Sequence, residues 1–156
     1  MPKITTFLTF DHQAEDAANF YTSVFKNSKI VSTARYGDAG PGPKGSLMTA
    51  TISLDGQEFM LLNGGPTFIF SQATSLFVTC ETQAEVDDYW SKLTAGGKEV
   101  QCGWLVDKFG VSWQIIPSVL MKLMSDKDAK KAGRVMQAMM KMVKIDIKGL
   151  QEAAAG

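Results

Sequence analysis

The chain has 156 residues, 45% hydrophobic and 21% charged. That suffices for one domain with a sizeable core, or for two small fused modules, and it excludes a disordered chain. Sixteen basic residues balance sixteen acidic ones, which argues against a nucleic-acid binder, and no stretch approaches the ~20 apolar residues of a membrane span. Residues Ile4–Phe10 read as a first strand, rich in Thr, Phe and Ile. Ala14–Phe25 follows as a helix, with Ala17, Ala18, Tyr21, Val24 and Phe25 on one face. Lys29–Tyr36 alternates as a second strand. Gly37–Gly45 holds four glycines and two prolines in nine residues, a loop that either gates a pocket or simply connects two strands. Ser46–Leu54 and Gln57–Asn63 are strands joined by the hairpin signal Asp55-Gly56.

Thr67–Thr74 links to a second half. Ser75–Cys80 reads as a strand, and a helix runs from Thr82 or Gln83 to about Thr94, ended by Ala95-Gly96-Gly97. Lys98–Gln101, Gly103–Asp107 and Val111–Pro117 are three more strands. Beyond them, Ser118–Met124 reads as a short helix and Asp128–Val143 as a longer one. Six of the nine methionines fall between Met121 and Met142. Val135, Met136, Met139, Met140 and Val143 form an apolar stripe, suited either to covering the chain's own core or to a subunit interface or pocket wall. The basic run from Lys127 to Lys131 is broken by acid and reads as a solvated helix face. Cys80 and Cys102 lack metal-type spacing and are expected to be inert. The start of the chain leads directly into a strand with no signal-peptide pattern, so a cytoplasmic protein is expected.

The order β-α-β-β-β occurs twice. Aligning Phe20-Tyr21 with Tyr89-Trp90 relates the halves by an offset of 69 residues; strand, helix start and aromatic pair recur together, so a duplicated unit is expected. The reading is α+β, with a first βαβββ module over 1–66, a second over 67–117 and a helical C-terminal extension over 118–156, all in one compact domain.

The stretches FLTFDHQAEDAANFYTSVF (7–25), LDGQEFMLLNGGP (54–66), SLFVTCETQAEVDDYWSKL (75–93), CGWLVDKFGVSWQIIP (102–117) and RVMQAMMKMVKIDIKGL (134–150) resemble the vicinal oxygen chelate superfamily of glyoxalases, dioxygenases and drug-resistance proteins. Within it they resemble the PhnB-like branch, often labelled 3-demethylubiquinone-9 3-methyltransferase domain proteins. The resemblance implies two modules whose strands form an open barrel-like sheet around a cavity, and commonly a homodimer. A methyl donor of the S-adenosylmethionine type usually sits on a glycine-rich turn between a strand and a helix. Here Gly40-Pro41-Gly42 lies between two strands.

Relatives typically hold a divalent metal with His or Gln, Glu, His and Glu on the first, fourth, fifth and eighth strands. Counting back from the aromatic pairs places the corresponding positions at Thr6 and Ser75, with Thr5 equally open for the first strand. The strand-eight position is Gln114, and the strand-four position falls near Met60 or Leu61. None of these is anionic or an imidazole, so no metal and no cofactor is expected. His12, the single histidine, is expected to cap a helix or face water. If Ser75 occupies the ligand position, then Ser75, Phe77 and Thr79 line the cavity, Gln114 and Ile116 point into it, and Asn63 and Trp104 add an amide and an aromatic wall. Thr6, Asn63, Ser75, Phe77, Trp104 and Gln114 are the ligand-binding candidates. No nucleophile–base pair is visible and the catalytic residues are unknown, although Asp107 or Glu99 remains open for acid–base work. The expected function is metal-free binding of a small, largely apolar molecule, with no nucleic-acid or membrane partner. The alternative is an enzyme of the same superfamily, a quinone-directed methyltransferase or a glyoxalase- or dioxygenase-like activity.

Overall fold

A computed structural model of the chain describes residues 3–156. Its elements are β1 (Thr6–Phe10), α1 (Ala14–Val24), β2 (Ser28–Arg35), β3 (Leu47–Leu54), β4 (Gln57–Asn63), β5 (Ser75–Cys80), α2 (Gln83–Thr94), β6 (Lys98–Glu99), β7 (Trp104–Val106), β8 (Ser112–Pro117), α3 (Ser118–Met124), α4 (Ala129–Met140) and α5 (Ile147–Ala155). The fold is α+β. The strands form two sheets of four, β1-β4-β3-β2 and β5-β8-β7-β6, and among the described residues they close no barrel. The chain divides into two compact units, one ending at Ile69 and the other beginning at Phe70. No helix among the described residues is long and apolar enough to cross a membrane.

Each unit repeats one design. In the first, β1 runs parallel to β4 and β3 antiparallel to it. Strand alternation turns Leu8, Phe10, Ala50, Ile52, Phe59 and Leu61 to one side, all buried. That side meets the face of α1 made by Ala17, Ala18, Tyr21 and Val24, which helical spacing brings into line. Each large apolar side chain so buried contributes about 1.5–3 kcal/mol. In the second unit, β5 runs parallel to β8, and α2 packs Val86, Trp90 and Leu93 over the sheet that carries Cys80, Leu105, Trp113 and Ile115.

The repeat is not in strict register. Phe10 precedes buried Tyr21 by eleven residues, whereas Cys80 precedes buried Trp90 by ten. The turn Asp11-His12-Gln13 is one residue longer than Glu81-Thr82. The strands therefore correspond with Phe7 against Phe77, which are 49% and 48% exposed. A one-residue slip exchanges the faces of a strand. Thr6 consequently lies on the α1 side with Leu8 and Phe10, and Thr5, Phe7 and Thr9 take the opposite side.

The C-terminal extension differs from expectation in extent. The long helix stops at Met140, and a further helix, α5, follows. Ile116, Leu120, Val135, Ile145 and Leu150 form a buried cluster, with Met124, Met139 and Met142 packed against it. The Val135 and Met139 part of the apolar stripe thus covers its own unit, and Met136 and Met140 remain 38% and 60% exposed. Ile116, expected in the cavity, is instead 4% exposed within this cluster. Gln83, at the start of α2, holds the extension: its Nε2 donates to the Ile145 carbonyl at 3.0 Å and its Oε1 accepts from the Ile147 amide at 2.8 Å. Lys144 pairs with Asp87 at 2.8 Å.

Candidate functional site

The side of the second sheet away from α2 carries most of the candidate residues. Cross-strand register sets Phe77 beside Gln114 and Gln114 beside Trp104. One row therefore reads aromatic, amide, aromatic across three adjacent strands. The next row holds Ser75, Ser112 and Val106. The Gln114 Nε2 donates to Ser75 Oγ at 2.9 Å. Strands β5, β7 and β8 contain no charged residue, and the exposed Lys98 of β6, paired with Val106, stands at the edge of this face.

The other two candidates lie in the first unit. Thr6 is on the α1 side of its sheet, as the turn length dictates. Asn63 is occupied structurally. Its Oδ1 accepts from the Ala14 amide at 2.8 Å, its Nδ2 donates to the Leu47 carbonyl at 3.0 Å, and its own carbonyl accepts from the Tyr36 hydroxyl at 2.8 Å. Gln13, the residue preceding α1, makes no side-chain cap. A residue 49 positions away thus does the work of a helix cap. Asn63 also borders a half-open cleft of about 330 Å³, with His12, Tyr36, Pro41, Gly42 and Leu47. The glycine loop folds over Tyr36: a Cβ at Gly42 would stand 2.3 Å from the Tyr36 ring and one at Gly40 2.9 Å. Only glycine permits that approach.

The remaining acid and base candidates have partners. Asp107 is buried; its Oδ1 accepts from the Phe109 and Val111 amides at 2.8 and 3.0 Å, and its Oδ2 from the Trp113 indole at 2.8 Å. Glu99 accepts from the Trp90 indole at 2.7 Å. Both carboxylates anchor indoles of the core. His12 is exposed and sits 3.4 Å from the Asp11 carboxylate. Cys80 is fully buried, and burial pushes its thiol up to about 12, with Glu85 and Glu81 adding to the shift. Cys102 adopts φ 57°, and its amide donates to the Met142 carbonyl at 2.9 Å.

This architecture, two βαβββ units, is the vicinal oxygen chelate fold. The chain superposes on the fosfomycin resistance protein FosX of Listeria monocytogenes, solved with Mn(II) and sulfate, at TM-score 0.54 and 13% identity over 80% of this chain and 97% of that one. Protein PA1353 of Pseudomonas aeruginosa gives TM-score 0.62 at 20% identity over 75% and 98% of the two chains. A PhnB protein of Bacillus cereus is 46% identical, with TM-score 0.70, covering 75% of this chain and 100% of its own. The chain belongs to the family described as 3-demethylubiquinone-9 3-methyltransferase, whose model matches residues 2–116. The stretch 134–150, read above as family-like, lies outside that match. No protein of curated function matches the chain.

The fold family commonly carries a divalent metal, and the residues at the equivalent strand positions do not fit one. They are Thr5 on the outward side preceding β1, Met60 and Leu62 on the outward side of β4, Ser75, and a Gln114 amide already donating to Ser75. Leu61, the other strand-four position, is fully buried on the α1 side. A dication needs anionic or imidazole donors to offset its desolvation. Among the described residues, no three His, Cys, Asp or Glu side chains stand close enough to hold one.

Proposed function

We propose that this protein binds a small, neutral, largely apolar molecule on the outward strand faces, without a divalent metal. The carrying observation is the Phe77–Gln114–Trp104 row with its Ser75–Gln114 hydrogen bond. Aromatic walls with a few placed amide and hydroxyl groups suit such ligands. The corresponding row of the first unit is Phe7, Met60 and Thr51. The family description names a methyl transfer, but Gly40-Pro41-Gly42 lies between β2 and β3 and packs on the Tyr36 ring. It offers no helix N-terminus to a methyl donor.

A thermal-shift screen of neutral aromatic compounds tests the reading, run beside S-adenosylmethionine and metal analysis of the purified protein. Stabilisation by a neutral aromatic that is lost in Gln114→Ala is expected. One tightly bound metal ion per chain, or stabilisation by S-adenosylmethionine with turnover, would overturn it. The reading includes a cytoplasmic homodimer. Two free cysteines are consistent with a reducing compartment, and light scattering measures the mass in solution.

A further inference from the structure

We infer that the face around Gln114 selects a planar, uncharged ring that presents a hydrogen-bond donor next to an acceptor, as a lactam does. This rests on the small-molecule reading above and narrows it to a ligand class.

The argument starts from the valences left over. When Gln114 Nε2 donates to Ser75 Oγ at 2.9 Å, the Ser75 hydroxyl keeps its own proton to donate. Gln114 Oε1 remains an acceptor. The pair therefore offers one donor beside one acceptor. A flip of the amide exchanges the two roles and leaves the pair intact. A ligand edge carrying N–H next to C=O satisfies both at once. A ligand with two acceptors or two donors leaves one group unmet, which costs most where water is excluded.

The neighbours set the rest of the ligand. Phe77 and Trp104 flank Gln114 on either side, one strand away each. Two strand spacings separate their backbones by roughly 10 Å. Two successive aromatic contacts span roughly 9–14 Å, so a single ring system fits between the walls. No charged residue lies on β5, β7 or β8, and the exposed Lys98 of the edge strand β6 falls in the neighbouring row beside Val106. A ligand seated in the Gln114 row therefore meets no charge within that row, and a neutral one needs none. Ser112, opposite Ser75 in the ladder, is 2% exposed, and its Oγ has no hydrogen-bond partner. It is the one buried side-chain polar atom among the described residues left in that state. A hydroxyl left unpaired within one strand spacing of the pair is a further polar group that the unit's own packing does not use.

The test uses the whole chain and two matched probes, 2-quinolone and N-methyl-2-quinolone, titrated by calorimetry. The first keeps N–H beside C=O; the second has lost the donor. The expected result is binding of 2-quinolone about tenfold tighter, the factor one such hydrogen bond supplies. That preference disappears in Gln114→Leu, which removes the acceptor for the ligand N–H, and Ser75→Ala weakens both probes alike by removing the donor to their shared carbonyl, each variant keeping the circular dichroism of the parent. Equal affinity for the two probes, or a preference that survives Gln114→Leu, would overturn the inference. Binding of neither probe, while other neutral aromatics bind in the screen, sinks the donor–acceptor inference and leaves the small-molecule reading standing. Stoichiometric metal sinks both.

Discussion

Asn63 separates a structural role from a ligand-binding one. In Asn63→Ala, the Ala14 amide loses its acceptor and the buried Leu47 carbonyl loses its donor. A net hydrogen bond is worth about 0.5–1.5 kcal/mol, and leaving a buried partner unsatisfied costs about 1–3 kcal/mol. The α1 start behaves as a deleted cap, typically about 1 kcal/mol. Together these give a loss of about 2–4 kcal/mol. Urea unfolding followed by far-ultraviolet circular dichroism measures it, as a lower midpoint at unchanged slope. Asn63→Asp is the control. It keeps an acceptor for the Ala14 amide and places negative charge at a helix N-terminus, which is favourable, but it loses the donor to Leu47. Its loss should fall below that of alanine. A stability within 0.5 kcal/mol of the parent for Asn63→Ala would refute the capping argument.

Four further outcomes follow from the same geometry. Gln83→Ala removes the two bonds to Ile145 and Ile147 and should speed amide exchange in α5 by about ten- to a hundredfold, a loss of roughly 1.4–2.7 kcal/mol; unchanged exchange rates would contradict the clamp. Gly42→Ala forces a Cβ to 2.3 Å from the Tyr36 ring, and overpacking of this kind costs about 1–3 kcal/mol. Thermal denaturation reads that effect, and an unaltered midpoint would show that the loop does not rest on Tyr36. At pH 8 a thiol reagent should modify Cys102 alone, because burial raises the Cys80 thiol to about 12; two thiols reacting together in the native protein counts against this. Hydrogen bonds from Lys144 and then Gln83 hold the Asp87 carboxyl below its ordinary value. That anchoring is complete above the unfolded aspartate value, about 3.9, and is lost as pH falls through the lower folded value. Exposure keeps the effect small, and Asp87→Asn should flatten this part of the acid titration of stability.

The elements were legible where side-chain period and turn chemistry agreed. β4, β5, α2 and α3 fall within a residue of expectation because Asp55-Gly56, Ala95-Gly96 and the apolar alternation mark their ends. Thr6 was harder to place. The two aromatic pairs measure helix phase, and the strand phase differs from it by the extra residue in Asp11-His12-Gln13, which no local pattern reveals. Asn63 looked like a free amide because its partners are Ala14 and Leu47, far away in sequence. α5 was missed for a related reason. The amide of Ile147 is met by Gln83 rather than by a nearby capping side chain, Asp146 makes no side-chain cap, and Gly149 interrupts the segment. Its spacing of Ile147, Leu150 and Ala154 was the available signal. The Ser75–Gln114 pair was within reach, since both positions were singled out and strand parity puts them on one face.

The cluster built on Ile116 has a practical bearing on how relatives of this protein are delimited. The family model's match ends at residue 116, and the Bacillus cereus PhnB protein is covered in full by 75% of this chain, so a version trimmed near residue 116 would look complete beside it. Folding draws its line elsewhere. Without α3, α4 and α5, the side chain of Ile116 would lose its cover and Gln83 would lose two of its bonding partners. Inherited boundary and cooperative boundary thus do not coincide in this chain.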